Sequence, residues 1–88
     1  MPLDLGKISK ENLNKELLRV GMIAELDAVS LYEQMAAMTD DEHIKRVMLD
    51  IAKEEKTHIG EFEALLLERE KEQVEENKKG KEEVEELR

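Results

Sequence analysis

The sequence predicts an all-α protein built as a two-helix antiparallel hairpin. Three observations carry that class. Apolar residues recur at helical spacing along two long stretches. One short polar segment, "TDDE" at 39–42, separates them. No stretch alternates polar and apolar residues with the period of two that a strand requires.

The elements follow in order. The first helix starts near Ser9 or Lys10, where Ser9 followed by Asn12 makes a weak cap, and runs to about Met38 without an internal proline. Gly21 lies inside it and costs about 1 kcal/mol against alanine in an exposed helix, so it marks either close packing or a tolerated defect. At the break, Thr39 or Asp40 can cap the second helix, and Thr39 with Glu42 fits a capping box. The acidic run also suits the positive end of the helix dipole. The second helix is expected from about Asp41 to about Gln73. Beyond Leu67 the apolar positions thin to Val74, Val84 and Leu87, and Gly80 is expected to break the helix. The predicted organisation is a helical hairpin over 1–74 and a charged linker or tail over 75–88, with at most a short helical piece near Val84 and Leu87.

Composition narrows the function. Eighty-eight residues make one small domain, which buries too little surface to be comfortable alone. No cysteine is present, which leaves no disulfide framework and no thiolate metal site. A net charge of −9 argues against nucleic acid, whose phosphates need a basic surface, and suits a protein that attracts cations. No apolar run approaches a membrane span, and "MPLDLGKISK" lacks the apolar core of a secretory signal. No membrane partner and a cytoplasmic location are the resulting expectations. The 42% of charged residues fits exposed helices.

Chemistry enters through two interrupted stripes. On the second helix Ile44, Met48, Ile51, Glu55, His58, Phe62 and Leu65 advance by 4, 3, 4, 3, 4, 3. That is one amphipathic face with a carboxylate and an imidazole in its middle. On the first helix Leu18, Met22, Glu25, Val29, Tyr32 and Ala36 advance by 4, 3, 4, 3, 4, again with a carboxylate inside. Glu25 lies about 14 to 15 residues before the turn and Glu55 about 15 to 16 after it, so each lies roughly 22 Å from the turn. A hairpin therefore sets Glu25 opposite Glu55, with His58 one turn further on. Burying these groups unpaired costs several kcal/mol (about 1 to 3 for a polar group, more for a charge), and neither stripe offers a Lys or Arg at that level. Carboxylate oxygen and imidazole nitrogen suit iron, manganese or zinc. Glu25, Glu55 and His58 are the candidate metal ligands.

Ferritin-like di-metal bundles take a glutamate from each of two helices and Glu-x-x-His from each of the other two. This chain holds half of that set. Two copies about a two-fold axis supply four glutamates and two histidines, and four carboxylates balance two divalent ions. The sequence here resembles the encapsulated ferritins. Their pattern is a Glu, a Tyr seven residues on, and Glu-x-x-His thirty residues after the first Glu. Glu25, Tyr32, Glu55 and His58 fit every one of those spacings, and the resemblance covers residues 8–73. It implies a protomer that pairs into a ferritin-like four-helix bundle, a homodimer that completes a di-iron centre with two iron ions per dimer, and ferroxidase activity. It further implies an annular decamer of five dimers and residence inside an encapsulin nanocompartment. The chain departs from the family where further acidic residues flank the first Glu: Ala24 precedes Glu25, and Asp27 is the near carboxylate. The tail lacks an obvious short cargo-targeting peptide, so either fusion to the encapsulin shell protein supplies the targeting, with this chain a cut piece, or this copy is not cargo.

Tyr32 shares Glu25's stripe and is placed with the catalytic set, although core packing explains it nearly as well. His43 is expected on the surface. Met22, Met35, Met38 and Met48 are expected to fill the core. Glu54 points about 100° away from Glu55 and into solvent. The competing function is a structural hairpin that dimerises around a stabilising metal without turnover. A second apolar seam, Leu17, Ala24, Leu31 and Met38, repeats every seven residues and predicts a second interface, hence a ring of dimers.

Overall fold

A computed structural model describes residues 9–88. The expectations that fall on 1–8, including the reading of the N-terminus against a secretory signal, lie outside the described residues. The architecture is all-helical: α1 is Lys10–Met38, α2 is Glu42–Leu67 and α3 is Lys71–Glu86, with no strand among the described residues. None of these helices is long and apolar enough to cross a membrane.

The α1–α2 connection is tight because its polar groups satisfy the helix start. Asp41, rather than Thr39 or Asp40, caps α2: its Oδ1 accepts from the backbone N–H of His43 at 2.9 Å and of Ile44 at 3.0 Å. Thr39 Oγ1 accepts from the Asp41 N–H at 3.1 Å. The capping box with Glu42 is replaced by this Asp cap one residue before it. At the start of α1, Ser9 occupies the cap position without a side-chain cap bond to the backbone.

From that turn α1 and α2 run side by side in opposite directions. Glu33 pairs with Lys56, Glu25 faces His58, and Gly21 meets Phe62. Gly21 therefore marks close packing. A Cβ added there would lie 3.2 Å from the Phe62 ring, so the absent side chain is what lets the ring in. Ala36, Ala52 and Leu66 form the fully buried core, and two of the three are alanines, as close helix approach demands. Glu25's stripe on α1 (Leu18, Met22, Val29, Tyr32 and Ala36) is half-buried or buried, and it is the side that faces α2. The other seam is open: Leu17, Leu31 and Met38 are exposed, and Ala24 with them. Met38, expected in the core, is 83% exposed.

Two further expectations are corrected. The described residues form three helices rather than two, because α2 stops at Leu67 instead of continuing to Gln73. Residues 68–70 break the path, and Glu70 turns inward to meet Arg19 and Lys15 of α1. Gly80 does not break α3. It sits within a continuous helix with open space around it, where its entropic cost of about 1 kcal/mol is tolerated. The expected 74/75 boundary thus falls inside α3, whose residues from Glu75 onward are all exposed.

Candidate metal centre

The site is built from the middle of α1 and the middle of α2. Glu25 projects from α1 toward α2 because it occupies a core position of an apolar stripe. Glu55 and His58 sit one turn apart on the facing stripe, where the i,i+3 spacing puts them on one side of the helix. The result is a cluster in which ligand atoms of Glu25, Glu55 and His58 all lie within 4.8 Å of one another. His58 Nδ1 is 3.4 Å from Glu55 Oε2 and 3.5 Å from Glu25 Oε1. One ring nitrogen thus faces two carboxylates from two helices.

Burial separates the three. The Glu25 and Glu55 side chains retain 20% and 19% of their exposure, while His58 retains 46%. Glu25 Oε2 is buried and has no hydrogen-bond partner among the described residues. A carboxylate oxygen in that position lacks the compensation that burial demands. No Lys or Arg pairs with either carboxylate among the described residues; the ion pairs of α1 and α2 lie elsewhere. The donor set fits a divalent metal. Oxygen and nitrogen ligands held about 2 Å from an ion stand about 3 to 4 Å from each other, the separation at which His58 Nδ1 stands from each carboxylate. One chain offers three such donors, fewer than the coordination number of iron or manganese and short of two ions.

Tyr32 stands apart from this cluster. It lies two turns along α1 from Glu25, a rise of about 10 Å. It lines a separate apolar groove with Ile44, Val47, Met48, Ile51 and His43, and its hydroxyl has no hydrogen bond among the described residues. His43 is exposed and belongs to that groove, not to the cluster. Glu54 is exposed. One residue that the stripes pass over adjoins the site: Glu61 shares a groove of about 370 Å³ with Glu25, His58, Phe62 and Leu65. The signal was present, since Glu61 follows His58 by one i,i+3 step, but the apolar stripe advances from 58 to 62 and skips it.

With this geometry in place, comparison with known proteins is direct. The family described as Rubrerythrin matches residues 16–87. The chain belongs to the rubrerythrin family. This rubrerythrin-family chain is 57% identical over 79 residues to the ferritin-like-encapsulin shell fusion protein of Pyrococcus furiosus, an alignment covering 90% of the chain and 23% of that relative. It therefore spans about a quarter of the fusion protein's length. The crystal structure of the encapsulated ferritin domain from Pyrococcus furiosus superposes with a TM-score of 0.87 at 50% identity, covering 99% of this chain and 87% of that one. The resemblance carried by Glu25, Tyr32, Glu55 and His58 thus extends over nearly the whole rubrerythrin-family chain, α3 included.

Proposed function

We propose that the protein is a ferroxidase whose di-iron centre is shared between two subunits, with Glu25, Glu55 and His58 of each as ligands. The observation that carries this reading is the cluster itself: two half-buried carboxylates and an imidazole, with, among the described residues, one oxygen buried without a partner and no basic side chain to neutralise them. Membership of the rubrerythrin family and similarity to an encapsulated ferritin domain support iron as the metal.

Iron is the substrate. Two Fe(II) ions each give up one electron; O₂ takes both, with two protons, and leaves as hydrogen peroxide. Peroxide can replace O₂, taking two electrons and two protons to give two waters. The residues supply the driving force. Anionic oxygen ligands favour Fe(III) over Fe(II), and a site between helices holds both ions at fixed separation. Two chains bring four carboxylates to two divalent ions, so the assembled centre is neutral and can be buried where one chain's half cannot. The exposed apolar side chains of both helices, Leu17, Leu31, Ile44 and Val47 among them, supply surface for that pairing into a four-helix bundle. The same surplus supports a ring of dimers, with a decamer as its size. Tyr32, two turns along α1 from Glu25, is assigned to a supporting role outside the ligand set rather than to ligation. Residues 75–88 are assigned to a linker or tail.

A helical annulus encloses no large store, so Fe(III) must be deposited elsewhere. The fused shell of the Pyrococcus furiosus relative supports an encapsulin compartment in the cytoplasm as that place and an encapsulin shell protein as the partner. Anaerobic loading with Fe(II) followed by O₂, with ferric absorbance and mass followed together, tests the activity. The expected result is rapid ferric absorbance at two irons per dimer. A raised melting temperature with any divalent ion but no oxidation would instead assign the chain to the structural-module class.

A further inference from the structure

We propose that the α2–α3 junction is a two-state joint: the ion pairs of Glu70 with Arg19 and Lys15 latch it bent, and their release lets residues 68–70 turn helical, so that α2 and α3 run on as one helix from Glu42 to Glu86. Three observations carry it. First, the break is short and unstrained. Glu68 keeps helical backbone, Glu70 is extended at φ −132° and ψ 93°, and no described residue has a positive φ. Glu68, Arg69 and Glu70 are all good helix formers. Second, the bent form leaves helical bonds unmade. The Arg69 N–H bonds the Leu66 carbonyl at 2.9 Å rather than that of Leu65, which instead accepts from the Arg69 guanidinium at 2.8 Å. The Val74 N–H is the first of α3 to bond, at 3.3 Å to the Glu70 carbonyl. A continued helix adds the bonds from residues 70–73 to the carbonyls of 66–69. Third, Glu70 stands at the cap of α3 and makes no side-chain cap bond; its carboxylate goes to Arg19 and Lys15.

On such a joint α3 can swing at little cost. No α-carbon of α3 comes within 8 Å of one in α1, and its residues from Glu75 onward are exposed, so they have no packing to lose. What the swing changes is a groove of about 420 Å³ between the hairpin and α3. Gln73 and Asn77 close one side of it, and Ile23, Leu26 and Leu66 are among its apolar lining. Straightening withdraws Gln73 and Asn77 and opens that apolar surface. The latch is electrostatic and Arg19 is 42% exposed, so salt weakens it. The screening length falls from about 10 Å at 0.1 M to about 3 Å at 1 M.

The test reads one distance. The chain has no cysteine, so Asp50→Cys with Lys81→Cys sets spin labels on exposed positions of α2 and α3. In one continuous helix these residues stand about 46 Å apart, and a bend brings them closer. Double electron–electron resonance on labelled chain diluted with unlabelled chain measures the separation. The parent at low salt is expected at the shorter distance, with a share at about 46 Å that grows in 1 M salt. Glu70→Gln removes the charge and keeps the helix propensity; it should raise the long-to-short ratio about five-fold. Glu75→Gln, at an exposed position of α3, should leave the ratio unchanged. Lys71→Pro is the rescue. Proline suits the first position of α3 and the extended residue before it, but not the interior of a long helix. Added to Glu70→Gln, it should return the short distance. A distribution in Glu70→Gln that matches the parent's would overturn the proposal. So would a broad distribution with no peak near 46 Å, an equal change in Glu75→Gln, or a long peak that survives Lys71→Pro.

Discussion

Two places in this small molecule bury glutamate side chains to a similar depth and treat them differently. Glu70, at the α2–α3 junction, retains 15% of its side-chain exposure and is held by Arg19, with Lys15 Nζ at 3.7 Å. Arg19 in turn bonds Glu16 at 2.7 Å, and Glu70, then Glu16, hold its guanidinium pKa above the ordinary value. Among the described residues Glu25 and Glu55, at 20% and 19%, meet only the imidazole of His58, more than 3.3 Å from both. The fold therefore has the means to neutralise a half-buried carboxylate from within and does not apply them at the centre. An internal cation at Glu70 makes a joint that is complete in one chain. Among the described residues no lysine or arginine meets Glu25, and that contrast is what supports the proposed metal there.

The largest expected effect comes from dismantling the unneutralised side of that contrast. Glu25→Ala, Glu55→Ala and His58→Ala should each abolish rapid iron oxidation while far-ultraviolet circular dichroism still reports intact helices. The metal-free Glu55→Ala protein should be at least as stable as its parent, because an uncompensated charge is removed. Parental oxidation rates in any of the three would mean that the centre lies elsewhere. A second substitution converts one region into the other. Met22 precedes Glu25 by three residues on the same half-buried face, so Met22→Lys brings an ammonium within reach of Glu25. The stabilisation of the protein by divalent metal, read as a shift in melting temperature, should shrink or vanish in this variant. An undiminished shift would show that Glu25 does not hold the ion. The smallest effect belongs to the neutralised region. Arg19→Met leaves Lys15 beside Glu70, and because Arg19 is 42% exposed the loss should be about 1 kcal/mol or less, with metal binding unchanged. Chemical denaturation measures it, and a loss of several kcal/mol would mean that the α3 junction holds the whole fold.

The same contrast explains what was legible in the sequence. The meeting of Glu25, Glu55 and His58 was readable because they interrupt regular apolar stripes, and similar distances from the turn put Glu25 and Glu55 near one level, with His58 one turn further on. The α3 junction was not. Glu68, Arg69 and Glu70 are ordinary helix-compatible residues, and no Gly or Pro announces the break. It arises from a tertiary ion pair fifty-one residues apart in sequence, which no local pattern records. Gly80 misled in the opposite direction, since a glycine weakens an exposed helix without necessarily ending it. Met38 is exposed although apolar because it ends the seam that no other described residue covers. The four-residue match to the encapsulated ferritins reached furthest, because its spacings test two helices and their pairing together.

The central claim is that each chain carries half of a metal centre. Native mass spectrometry of the protein loaded with Fe(II) under anaerobic conditions tests it most directly. Metal that binds the assembled form alone drives assembly by mass action. The spectrum should therefore show iron in dimers and larger even-numbered assemblies, at two ions per pair of chains, and iron-free monomer. Iron bound one per monomer, in a species that oxidises it at the full rate, would contradict the shared centre.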